Sequence, residues 1–331
     1  MYASFVLTFS TLIASVVTGA VINPRNGSPW STVKGHRLVY QFSNGTSVEN
    51  IAVRSNGNLL VTLTDRPELY EVNPFNPKSA KLIHRFSEYL SLLGITEVSP
   101  DVFTLNAGNF TAETGPAPGS WAVWQVAFHN DQAKVSKVTD IPEAQFLNGM
   151  TTLESTPNTI LTADSTGGVI YSVNTQTKVY KLVLDNEAFK PTPGAPLPIG
   201  LNGIRYLNHY VYYTNSFNPI FGRVPVSKSG YATGSYKTIV AGVFGDDFAV
   251  TPQAAYIAGN PLNVLTEVKL DGENKVIAGN LNSSLIAGDT SAAFGRTIRD
   301  KNVLYVVTSG ATFSPVNGTY TEGGKIVALQ I

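Results

Sequence analysis

The sequence predicts an all-β fold, a six-bladed β-propeller of four-stranded antiparallel blades, from three observations. Beyond the first twenty residues no segment keeps a helical period, and short β-rich runs recur between Gly, Asn, Asp and Pro. One unit (polar anchor, apolar strand, turn, second apolar strand, small or polar exit) returns six times at nearly even steps. The chain also carries a strand near each end, His36–Phe42 and Lys325–Ile331, whose pairing closes a ring and leaves no long bare edge. A two-domain β-sandwich is the alternative, and the even phase of the repeats counts against it.

The six units are Val48–Asp65, Gly94–Gly108, Phe146–Ser165, Gly200–Ser216, Gly245–Asn260 and Thr290–Gly310. Third strands follow at Leu69–Val72, Val123–Phe128, Val169–Val173 and Thr266–Leu270, and fourth strands at Lys81–Phe86, Lys134–Val138, Val179–Leu184 and Lys237–Val240. Anchors fall at Glu49, near Ile95, at Asn148, Asn202 and Asp247, and near Ser291, with steps of about 46, 53, 54, 45 and 44 residues. That regularity makes residues 21–331 one propeller domain despite their number.

Residues 1–20 read as a signal peptide. An apolar stretch, Phe5–Val17, too short to span a bilayer, ends in the small residues Thr18-Gly19-Ala20. A mature chain from about Val21, in the secretory pathway or outside the cell, is expected, with no transmembrane segment after signal removal. Sequons at Asn44, Asn109, Asn282 and Asn317 are candidate glycosylation sites; a fifth, Asn26, is followed by Pro29 and is a poor one. Composition excludes much chemistry. With no cysteine there is no disulfide, thiolate nucleophile or Cys-ligated metal, and four scattered histidines give no His-rich centre. Balanced charge, 23 basic and 23 acidic residues, provides no footprint for nucleic acid. Nucleophile elbows, phosphate-binding loops and metalloprotease helices are missing as motifs.

In a propeller the innermost strands line a central channel, so anchors at one phase converge on one axis. Glu49, Asn148, Asn202 and Asp247 would bring together two carboxylates and two amide carbonyls, hard oxygen donors suited to Ca²⁺ or Mg²⁺. Asn-Gly and Asp pairs also make turns at strand starts, which is the structural alternative for each. Thr290 and Arg296 are further polar candidates. Asp247 or Glu49 could serve as an acid if burial raises its pKa. Of the aromatics near blade starts, most are expected to pack blades together. Phe110, Phe217, Phe221 and Phe244 sit in Gly-, Pro- or Asn-rich loops and are the better pocket candidates, with Phe294 beside them. The proline-rich Pro191–Pro198 and the Gly115–Ser120 loop could cover the channel mouth.

The Glu-Asn-Ile, Leu-Asn-Gly-Met, Leu-Asn-Gly-Ile and Asp-Asp-Phe-Ala-Val elements resemble those of the senescence-marker-protein/gluconolactonase-like six-bladed propellers. That resemblance implies a divalent cation, Ca²⁺, held by Glu49, Asn202 and Asp247, with Asn148 on the substrate side, and hydrolysis of lactones. The chain departs from that pattern where Glu-Gly-Pro becomes Glu49-Asn50-Ile51. A second resemblance is to fungal, cysteine-free propellers that include the hetero-Diels–Alderases of tropolone–sesquiterpenoid pathways. It lies in the signal-like start, His36–Phe42, Val48–Asp65 and the Thr290–Arg296 stretch TSAAFGR. It implies a pericyclase that needs no cofactor and joins a tropolone ortho-quinone methide to a humulene-type alkene, with small apolar natural products as its partners. Glu49, Asn148, Asn202, Asp247 and Thr290 would then act on the reacting atoms, and Phe110, Phe217, Phe221, Phe244, Phe294 and Arg296 would hold the substrates. A Ca²⁺-dependent lactonase and a non-catalytic binding propeller are the alternatives.

Overall fold

A computed structural model describes residues 33–331; the expected signal peptide and the Asn26 sequon lie outside the described residues. Six four-stranded antiparallel sheets follow one another along the chain as blades. Blade 1 is Val48–Val53, Leu59–Leu63, Glu68–Val72 and Ala80–Arg85; blade 2 is Ser91–Ser99, Val102–Gly108, Ala122–His129 and Gln132–Asp140. Blade 3 runs Leu147–Thr152, Thr159–Asp164, Val169–Asn174 and Tyr180–Asp185, and blade 4 Leu201–Leu207, Tyr210–Asn215, Ile220–Pro225 and Lys237–Ala241. Blade 5 runs Phe248–Val250, Ala254–Ala258, Val264–Lys269 and Asn274–Gly279. Blade 6 takes Asp289–Phe294, Val303–Thr308 and Lys325–Gln330 from the end of the chain and Gly35–Gln41 from its start. Gly35 faces Gln330 and Gln41 faces Lys325, so the expected ring closure is present. Among the described residues no helix is long and apolar enough to cross a membrane.

Burial follows position in the blade. In blade 1 the first two strands are buried throughout, while Ala80–Arg85 at the rim is largely open to solvent. A strand packed on both faces needs a near-continuous apolar run, and a rim strand does not. The core accordingly lies between blades: Leu153, Leu161, Leu201 and Ile204 join blade 3 to blade 4, and Val48, Val61, Tyr305 and Val307 join blade 1 to blade 6. Far from the strand starts, Arg54 fastens blade 1 to blade 2. Its guanidinium reaches Glu71 at 2.5 Å and Asp101 at 2.6 Å and lies 3.9 Å from the centre of the Phe128 ring.

Each innermost strand begins with a bulge, and these bulges set the phase of the whole ring. In blades 1, 2, 3, 4 and 6 the register slips after Val48, Leu92, Leu147, Leu201 and Asp289. In blade 5 the amide of Asp246 donates to the carbonyl of Ala258, whose own amide donates to the carbonyl of Asp247. Two residues thus stand opposite one, which turns the first outward to the mouth and the second inward to the axis. The first positions are Glu49, Leu93, Asn148, Asn202, Asp246 and Thr290; the second are Asn50, Gly94, Gly149, Gly203, Asp247 and Ser291.

Three of the second positions are glycines for a steric reason. A Cβ on Gly149 would lie 2.3 Å from the carbonyl oxygen of Asn202, and one on Gly94 would lie 2.3 Å from that of Asn148. Backbone cannot yield as a side-chain tip can. Gly149→Ala is therefore expected to destabilise the protein by about 3 kcal/mol, the upper end for overpacking. A urea unfolding curve checks this; a midpoint within error of the unsubstituted protein would contradict it.

Candidate active site

A cavity of about 630 Å³, its open mouth included, lies on the axis where the innermost strands begin. Five of the six first-position residues line it: Glu49, Leu93, Asn148, Asn202 and Asp246. Its upper walls come from loops. Phe110 rises from a small hairpin of Phe110–Thr111 and Gly115–Pro116 inserted into blade 2. Leu197 and Ile199 come from the proline-rich loop between blades 3 and 4. That loop is tied down by Thr166 Oγ1 on the carbonyl of Pro198 at 2.8 Å and by Thr192 Oγ1 on that of Phe217 at 2.7 Å. Asn215 Nδ2 adds bonds to the carbonyls of Ala188 and Lys190.

The aromatic residues form two groups facing across the cavity. Phe110 stacks on Phe146, with centroids 5.1 Å apart and planes 17° from parallel, and Phe313 leans on Phe110 at 6.5 Å. Phe217 and Phe244 meet edge to face at 5.9 Å. Leu93 extends the first group, so the floor is apolar under blade 2 and polar under blades 1, 3, 4 and 5.

The polar floor is short of partners. Asn202 Nδ2 donates to Ser216 Oγ at 3.0 Å, but its Oδ1 is buried without a hydrogen bond. Burial pushes the Glu49 carboxyl well above its usual range, and the nearby charges of Asp246 and Asp247 add to the shift. Asp246 is pushed up to about 7, mainly by burial and also by Asp247, against hydrogen bonds from Asn260 and Asn202 that hold it down. Asn260 Nδ2 reaches Asp246 Oδ2 at 2.7 Å. At neutral pH the floor therefore offers carboxylic acids as well as carboxylates.

The sequence reading put Asp247 at this mouth; the structure puts Asp246 there and turns Asp247 to the axis. Asp247 Oδ2 accepts from Arg205 Nη2 at 2.6 Å, Asn50 Nδ2 at 2.8 Å and Ser291 Oγ at 3.1 Å, while Oδ1 accepts the amide of Phe248. These bonds plug the channel beneath the cavity. The physical reason is the bulge: Asp247 occupies the place of Gly149 and Gly203, and a side chain there points into the ring.

Other candidates separate in the same way. Glu49, Asn148, Asn202, Phe110, Phe217 and Phe244 converge on the cavity. Thr290 shares their phase, but its hydroxyl donates to the carbonyls of Val48 and Val307 within the wall. Phe221 is fully buried between Tyr212 and Phe248, and Phe294 packs on Tyr256. Arg296 stands at the opposite mouth, paired with Glu97 and bonded to the carbonyl of Val53. Of the sequons, Asn44, Asn282 and Asn317 are exposed, whereas Oδ1 of Asn109 is enclosed. Asp246, Asn260, Ser216, Phe146 and Phe313 were not anticipated. Counting from Asn148-Gly149 and Asn202-Gly203 would have aligned Asp246-Asp247 with them and identified the first.

No family model matches the chain. A protein of a Phoma species, provisionally named a hetero-Diels–Alderase, is 29% identical over 303 residues, covering 82% of this chain and 86% of that one. A second protein with that provisional name, from Sarocladium schorii, is 26% identical over 308 residues, 82% of this chain and 77% of its own. Among solved structures, regucalcin, a calcium-binding protein from Agrobacterium tumefaciens, superposes with a TM-score of 0.66 at 14% identity, over 91% of this chain and 96% of its own. A luciferin-regenerating enzyme gives 0.64 at 13% identity over 90% and 95%. The solved structures bear on the fold alone. The chain is a six-bladed propeller similar along most of its length to proteins that carry the hetero-Diels–Alderase name.

Proposed function

We propose that the protein is a pericyclase, which joins a tropolone ortho-quinone methide to a humulene-type alkene by a hetero-Diels–Alder cycloaddition. The observation that carries this reading is the cavity itself, two facing aromatic groups above a floor of carboxyl groups whose pKa values burial raises. The similarity to proteins provisionally named for such a reaction supports it.

Two steps follow from that arrangement. In a hydroxymethyl tropolone, a protonated Asp246 or Glu49 gives its proton to the departing hydroxyl, which leaves as water; the ring hydroxyl then passes its own proton to the carboxylate so formed, which restores the acid and yields the quinone methide. In the cycloaddition the exocyclic carbon bonds to one alkene carbon and the quinone-methide oxygen to the other, with nothing lost. The phenylalanines hold the two partners face to face and exclude water. Orientation of this kind can supply about 7–11 kcal/mol of the barrier. One hydrogen bond from Asn148, Asn202 or a carboxyl group to the oxygen that gains negative charge adds about 3–4 kcal/mol. Positioning therefore outweighs any single donor. Incubation with a hydroxymethyl tropolone and humulenol is expected to yield adduct faster than the uncatalysed background. Adduct at the background rate would sink the reading.

A second reading rests on Asn202 Oδ1, buried and unpartnered beside two carboxyl groups. Glu49, Asn202 and Asp246 fit a hard divalent cation, which when bound supplies a Lewis acid for lactone hydrolysis. Among the described residues no three His, Cys, Asp or Glu side chains cluster, so an amide oxygen has to complete such a set. Under the pericyclase reading, chelation with EDTA leaves the cycloaddition rate within twofold. If that rate falls on chelation and returns with Ca²⁺, the chemistry belongs to the cation.

A further inference from the structure

A second hollow adjoins the cavity, beneath the hairpin that carries Phe110. It measures about 710 Å³ with its open side, and Ala112, Pro116, Pro118, Thr166, Leu197 and Pro198 are among its walls. Leu197, a half-buried side chain, lines both spaces and stands where they adjoin. We infer that this hollow is an annex of the binding site, which takes the far end of a long, uncharged hydrocarbon partner; the inference rests on the cycloaddition reading.

Four observations lead there. The 630 Å³ of the main cavity counts its open mouth, so the enclosed space is smaller still, whereas a bimolecular cycloaddition brings two partners together. The annex opens on the correct side. Its walls continue from Phe110 in the hairpin and from Phe146 by way of Gln145, the apolar half of the cavity, away from Glu49 and Asp246. An alkene lying on the Phe110–Phe146 stack thus runs on past Leu197 and not towards the carboxyl groups. Charge is sparse there, since among the described residues Glu113 is the one charged residue on the annex wall. Leu197 is also held in place, because Thr166 Oγ1 bonds the carbonyl of Pro198 next to it.

Ala112 stands on the far wall of the annex, outside the main cavity, in an exposed stretch of the hairpin where a larger side chain does not threaten folding. Each methylene buried in the annex is worth about fourfold in affinity. Ala112→Trp should therefore weaken binding of humulenol, measured calorimetrically with the full chain, by tenfold or more. Binding of the five-carbon alcohol prenol, which fits the main cavity alone, should change less than twofold. Ala112→Leu should give an intermediate loss for humulenol. Equal losses for the two alcohols, or no loss of humulenol binding in either variant, would overturn the annex. The functional reading is tested separately by the same proteins. Size-selective binding without adduct formation keeps the annex and removes the cycloaddition, and adduct formation untouched by both variants does the reverse.

Discussion

Replacing Asp246 with asparagine is expected to lower adduct formation from the hydroxymethyl tropolone by about 10²–10³-fold, within the range for loss of a general acid. The substitution keeps size and a hydrogen-bond donor but removes the transferable proton. Supplied with a quinone methide generated chemically, Asp246→Asn should therefore retain its rate within a few-fold, whereas Asp246→Leu should not. The pH profile gives an independent check. Burial raises the Asp246 pKa to about 7, so the acid form prevails below that value. Activity should be full in mildly acidic solution and fall as pH rises through 7, and Asp246→Asn should flatten that limb. Stability should move in the same direction. A carboxyl group whose folded pKa lies above its unfolded value stabilises most below the unfolded value and loses that contribution as pH rises through the folded one. The melting temperature should then decline between about pH 4 and pH 7 and level off above, and decline less in Asp246→Asn. An unchanged pH profile in that variant, with substrate binding intact, would remove Asp246 from the chemistry.

Its neighbour should behave in another way. Asp247→Ala is expected to cost about 3–5 kcal/mol of stability, because it strands a guanidinium against the ring axis without its counter-charge. The Asp247 side chain is 3% exposed and that of Arg205 is 18%, so water relieves only part of the loss. The same carboxylate also accepts from Asn50 and Ser291, and its removal loosens blades 1, 4, 5 and 6 together. Pairing it with Arg205→Met should recover much of the loss, since breaking one half of a buried pair is worse than replacing both halves. Equilibrium unfolding of the two single variants and the double variant measures this. Additive losses would show that the two side chains do not act as a pair.

The contrast between adjacent aspartates also marks how far the sequence could be read. Blade number, strand positions and ring closure were legible because each blade repeats one apolar pattern and because His36–Phe42 and Lys325–Ile331 were the natural strands to pair. Glu49, Asn148 and Asn202 were legible because a polar residue stands at the same step ahead of an apolar strand. Asp246 was hidden by a one-residue choice between two identical side chains, which a bulge decides and alternation alone does not. Phe146 looked like blade packing and does pack, under Trp121 at 5.3 Å, yet its other face lines the cavity. Phe313 lies in the long loop between Thr308 and Lys325 and Asn260 in a short helical turn between two strands, where local sequence has no period from which to infer direction. Phe221 and Phe294 carried the same composition signal as Phe217 and Phe244, and only packing tells them apart.

Ring closure has a consequence for the order of assembly. Blade 6 takes three strands from the end of the chain and its rim strand from the start, so Gly35–Gln41 waits for Lys325–Gln330 while five blades form between them. Contacts between such distant segments are the slowest to form. Until they do, the row of amides and carbonyls on Lys325–Gln330 stays open to any other extended chain. Folding yield should thus depend on how crowded the solution is during those last moments. A short peptide copying Gly35–Gln41 would compete for that place, and would trap a ring already complete at its mouth but still unlatched at its edge.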